Sequence, residues 1–79
     1  MLKRETLKLL RTKQGETTTL SQCIVGDGNI NSKDIKTPIE AGDKLIRLLP
    51  SGIEENYLVI DVVAFTNVLP HYEIKVKKV

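Results

Sequence analysis

The sequence predicts a small all-β domain: an antiparallel barrel or two-layer sheet of five to six short strands, with at most one short helix. Three observations carry this. Near the C-terminal end, Tyr72, Ile74 and Val76 alternate with Glu73, Lys75 and Lys77, the two-residue period of a half-buried strand. Turn formers cut the chain at Gly15, at Gly26–Asn29, at Gly42-Asp43, at Pro50-Ser51-Gly52 and at Pro70. Aromatic residues make up only 4% of the chain, so the core is built from Leu, Ile and Val, and the β-branched pair fits a pleated surface better than a helix.

Residues 1–12 admit two readings. Leu2, Leu9 and Leu10 suit one side of a short helix, whereas Leu7 and Leu9 flank Lys8 as in a strand. The turn at Lys13-Gln14-Gly15-Glu16 and the Thr-, Leu- and Ile-rich stretch from Thr17 to Val25 favour a hairpin from about Thr6 to Val25. Gly26-Asp27-Gly28-Asn29 is a turn, Ile30 begins a short strand, and Asn31–Thr37 is polar and irregular up to Pro38. Gly42-Asp43 introduces a strand over Lys44–Leu49 whose apolar residues fall on both faces, as in a strand covered on both sides. After the turn at Pro50 and Gly52, Tyr57, Val59 and Val63 share a face with Asp61, a carboxylate that then needs a partner or an exposed position. A loop over residues 64–70 leads to the closing strand.

With 79 residues the chain is one domain with a modest core, and a net stability of roughly 3–5 kcal/mol is typical of that size. The single cysteine, Cys23, excludes an internal disulfide. No apolar run has the length of a membrane span, and the first residues lack a signal-peptide core, so the expected location is the cytoplasm, or a virion for a phage part. A net charge of +2 does not argue for nucleic acid. The basic residues nevertheless gather at the two ends of the chain. If the terminal strands are neighbours, Arg11, Lys13, Lys75, Lys77 and Lys78 form a basic edge able to contact a partner; the plainer reading is a lysine-blunted sheet edge.

Chemical readings find little support. Gly26–Asp34 resembles part of a calcium loop, but the two preceding ligand positions are Cys23 and Val25, which supply no oxygen ligand. One His and one Cys are too few for zinc. Cys23 reads as a small buried hydrophobe and His71 as an exposed or backbone-bonded imidazole. No catalytic residue, metal or cofactor is expected. Arg47 is expected near Glu55 or Tyr57 across the hairpin, a pairing worth only about 0.2–1 kcal/mol.

The second half carries a longer pattern: Gly42-Asp43, Arg47 before Leu49-Pro50-x-Gly52, Glu55 and Tyr57, Val59-x-Asp61, and His71-Tyr72-x-Ile74-Lys75-Val76. It resembles a family of small, uncharacterised bacterial β domains encoded in prophages, mobile elements or defence-gene clusters. The resemblance lends context but no mechanism; Gly42, Asp43, Arg47, Pro50, Gly52, Tyr57, Asp61 and Tyr72 are expected to be structural. The family's Gly- and aromatic-rich loop is missing between Asp61 and Pro70. The expected function is a non-enzymatic interaction or structural module of prophage origin, such as a head–tail joining or tail-completion part. It would contact a protein partner or further copies of itself through loops bearing Asp27, Asn29, Asn31, Phe65 and Asn67. A nucleic-acid-binding barrel acting as a regulator is the alternative, and an inhibitor of a host enzyme the third reading.

Overall fold

The computed structural model describes residues 3–79, so Leu2 lies outside the described residues. Six antiparallel strands follow one another: β1 (Glu5–Arg11), β2 (Glu16–Val25), β3 (Asn29–Ser32), β4 (Lys44–Leu48), β5 (Glu54–Phe65) and β6 (His71–Lys78). They close into a barrel in the order β1-β2-β3-β6-β5-β4. No helix occurs among the described residues, so the helical reading of the first segment gives way to β1. Leu7 and Leu9 are buried with Lys8 exposed between them, and the hairpin over Thr6–Val25 forms as expected.

The first four strands make a Greek key, in which β4 returns past the barrel end to pair with β1. Closure through β1–β4 and β3–β6 leaves no free edge. Gly42 and Gly52 sit at the two turns that bound β4, with φ of 95° and 89°, conformations that a β-carbon would strain. The core is Leu7, Leu9, Leu20, Cys23, Ile30, Leu45, Tyr57, Val59, Tyr72, Ile74 and Val76, as an aliphatic barrel requires.

Two bulges correct the simple alternation. On β2, Glu5 pairs with Cys23 but Leu7 with Leu20, so one extra residue is held there and Gln22 takes a φ of 52°. Leu20 and Cys23, three apart, therefore both face inward. On β5, Val59 pairs with Val76 and Asp61 with Lys75, leaving Ile60 as the extra residue. The phase then reverses: Val62 packs on the core, and Asp61 is exposed beside Lys75 rather than sharing the inner face of Tyr57 and Val59. Such insertions bend strands and sharpen twist, which a narrow closed barrel needs. The expectation that β4 is covered on both sides also fails. Leu45 is buried, but Leu48 on the other face is 67% exposed, because no second layer covers the outside of a single barrel.

Polar groups at the β2 bulge find partners outside the β1–β2 ladder. The Ser21 N–H donates to Asp34 Oδ2 at 3.1 Å, and Ser32 Oγ donates to the Ser21 carbonyl at 2.7 Å. The Gln22 carbonyl accepts from the Lys33 N–H at 3.2 Å and from Arg4 Nη1 at 2.8 Å. Asp34, a ligand position of the rejected calcium loop, thus acts as the clamp of a bulge.

Candidate interaction surfaces

The basic edge does not exist as one surface. Counting round the barrel, β1 and β6 lie on opposite sides, and β6 is paired on both flanks. The residues assigned to it go to three places. Arg11, only 9% exposed, points into one mouth of the barrel, with Nε 2.9 Å from Asp43 Oδ2 and Nη2 3.2 Å from Glu40 Oε2. The Nε–Oδ2 approach has ion-pair distance without hydrogen-bond alignment. Asp43 is fully buried, and its Oδ2 accepts the Glu40 N–H at 2.9 Å. Lys13 closes the cluster on Glu40 at 3.0 Å.

Lys78 joins the other mouth. There Arg47 grips Glu5 through Nε at 3.0 Å and Nη2 at 2.8 Å, and Glu55 through Nη1 at 3.2 Å. Glu55 also accepts from Lys78 Nζ at 2.8 Å and from the Tyr57 hydroxyl at 3.0 Å. These residues lie on the same face of their strands as the core, so the network caps the open end of the barrel. Hydrogen bonds from Lys78 and Tyr57, with Arg47 beside them, hold the Glu55 carboxyl down at about 2, and its bond to Glu5 raises Arg47. The expected Arg47–Glu55 pairing is present; Glu5 is a partner that the sequence reading missed.

Lys75 and Lys77 face outward. Lys75 sits opposite Asp61, and Lys77 is opposite Leu58, which is in turn opposite Lys44. Lys44 and Lys77 thus flank Leu58 on the outer face, with Lys8 on β1 diagonal to Lys44, and none of the three has a carboxylate within ion-pair distance among the described residues.

Of the expected contact residues, Asp27 and Asn67 lie exposed in turns, while Asn29, Asn31 and Phe65 belong to strands. Asn31 lines a shallow cup of about 390 Å³ together with Arg4, Lys33, Leu69, Pro70 and His71. The Phe65 ring stacks on His71 at 4.9 Å between centroids. His71 Nδ1 lies 2.7 Å from the Leu69 carbonyl and Nε2 3.1 Å from Glu73 Oε2. Both ring nitrogens face acceptors, first the carbonyl and then the carboxylate, which raises the imidazole's pKa.

Cys23 is buried, its thiol pushed up to about 11 mainly by desolvation, and His71 lies elsewhere on the outer face. The two form no nucleophile–base pair. Tyr72 faces inward and donates to the carbonyls of Thr37 at 2.9 Å and Ile35 at 3.3 Å, tying the long β3–β4 connection across the barrel end.

Most of the exposed large apolar side chains fall at the two ends of β5; Ile60, the extra residue of the β5 bulge, is exposed at mid-strand, and Val79 is exposed after β6. Leu48 and Ile53 flank the β4–β5 turn, and Val63, Phe65, Val68 and Leu69 surround the β5–β6 turn, with Val68 89% and Leu69 78% exposed. No helix of the described residues is long and apolar enough to cross a membrane. No family model, curated protein or solved structure matches this chain.

Proposed function

We propose that the protein is a non-enzymatic docking module that works by end-to-end contacts. Its specific form would be a prophage-encoded virion-assembly part, such as a head–tail joining or tail-completion protein, acting in the cytoplasm or in the virion. One observation carries the reading: two unlike apolar tips sit at opposite ends of a single twelve-residue strand. Its contour is about 40 Å. Two different patches at opposite ends are what a heterologous contact uses, and such contacts generate rings when the rotation closes. Both mouths of the barrel are sealed by ion networks, and the tips carry most of the exposed large apolar side chains.

Sedimentation velocity tests this. The wild-type protein should self-associate as concentration rises, and Leu69→Asp should remain monomeric with an unchanged far-ultraviolet spectrum. A wild type that is monomeric throughout contradicts the reading.

The group of Lys8, Lys44 and Lys77 favours a second reading, nucleic-acid binding. Phosphate contacts there would give an oligonucleotide affinity that falls steeply with salt.

A further inference from the structure

We propose that the Arg4–Lys33–His71 cup is the receptor for the β4–β5 tip of a second copy of this chain, with Glu54 seated between Arg4 and Lys33 and Ile53 against Leu69 and Pro70. The inference rests on the docking reading and names the partner surface that it lacks.

The two surfaces match in charge and in shape class. The cup has aliphatic walls, Leu69 and Pro70, with cations at its rim. Arg4 and Lys33 have no carboxylate within ion-pair distance among the described residues. The Arg4 side chain and the Lys33 backbone are also held in place. The Gln22 carbonyl at the β2 bulge accepts both the Arg4 guanidinium and the Lys33 N–H, so one backbone oxygen positions both residues. This ordering exists before any partner arrives, which lowers the cost of binding.

The far end of β5 offers the converse. Ile53 is 64% exposed, Leu48 67%, and Glu54 is opposite Leu48 on the hairpin. Glu5 and Glu55 are both committed to Arg47, and Glu54 is the exposed carboxylate of this tip with no cation on it among the described residues. One free acid and two aliphatics thus stand at the β4–β5 turn, and two free cations and an aliphatic wall at the cup.

The conformation of Leu69 points the same way. A branched residue at φ 55° is uncommon, and here the side chain is turned out to solvent rather than packed. The bond from His71 Nδ1 to its carbonyl holds that turn. Strained backbone conformations cluster at active sites, ligand clamps and switch regions.

Charge reversal separates this from general stickiness. Glu54→Lys and Lys33→Glu, both at exposed positions, should each weaken self-association roughly tenfold in sedimentation velocity. An equimolar mixture of the two variants should recover it, because each supplies the other with a complementary end. Unchanged association in either variant, or a mixture as weak as its components, overturns the inference. If Leu69→Asp abolishes association while the reversals leave it intact, the docking reading stands and this pairing falls. A wild type that never associates removes both.

Discussion

Arg11→Met is expected to leave about half of the protein unfolded at room temperature. The substitution leaves the fully buried Asp43 carboxylate with a single backbone donor, the Glu40 N–H. Removing one member of a buried pair costs about 3–5 kcal/mol, because the surviving charge stays out of water uncompensated. That equals the roughly 3–5 kcal/mol of net stability typical of a core this size. Glu40 cannot substitute for the lost guanidinium, since it carries the same charge as Asp43 and is itself held by Lys13. Replacing both partners, as Arg11→Met with Asp43→Leu, should recover most of the loss, because no orphaned charge remains. Urea unfolding followed by circular dichroism decides this. A loss under about 1 kcal/mol, the scale of a surface pair, would place Arg11 outside the structural framework.

Acid should unfold the barrel in a defined window. Glu55 is held at about 2 against an ordinary value of 4.5, by the hydrogen bond from Lys78 first and then that from Tyr57. Glu40 is lowered by Lys13. Burial pushes Asp34 up, but the bonds from the Ser21 N–H, the Thr37 hydroxyl and the Ser21 hydroxyl outweigh it and leave it lowered. A carboxyl depressed in the folded state adds stability that is complete above its unfolded pKa and is lost as pH falls through the folded value. The urea midpoint should therefore drop from about pH 4.5 down to about 2, as both a barrel mouth and the bulge clamp are protonated. His71 runs the other way. Its pKa is raised, so its contribution is complete in acid and is lost as pH rises through the folded value. Glu55→Gln should flatten the lower part of the acid transition, and a midpoint constant from pH 5 to 2 would contradict the capping role.

The strands were legible because their signals are local. The alternation over residues 72–78 appears as β6, and Pro50-Ser51-Gly52 closes the β4–β5 hairpin with Arg47 opposite Glu55. The bulges were not legible. Val59 to Val63 is apolar at nearly every position, so either phase offers a plausible inner face, and only the partner strand shows that Ile60 is extra. The same limit hid the fate of the basic residues. Nothing near Arg11 in sequence reveals Asp43, and Arg47 finds Glu5 across 42 residues. Of the charges that read as an edge, Arg11, Lys13 and Lys78 are consumed in sealing the mouths, while Lys75 and Lys77 face outward. Of the residues that line the cup, the sequence reading had singled out Asn31, whereas Arg4 and Lys33 reach it through a bulge that no local pattern announces.

Oxidative cross-linking of two single variants, Ile53→Cys and Leu69→Cys, tests the end-to-end contact most directly. Cys23 is fully buried and its thiol is raised to about 11, so it stays out of the reaction. A disulfide forms only where the two Cα atoms come within about 7 Å. The account expects a mixed dimer when the two variants are combined and none from either variant alone. Homodimers of Ile53→Cys or Leu69→Cys, or no dimer in the mixture, would contradict it.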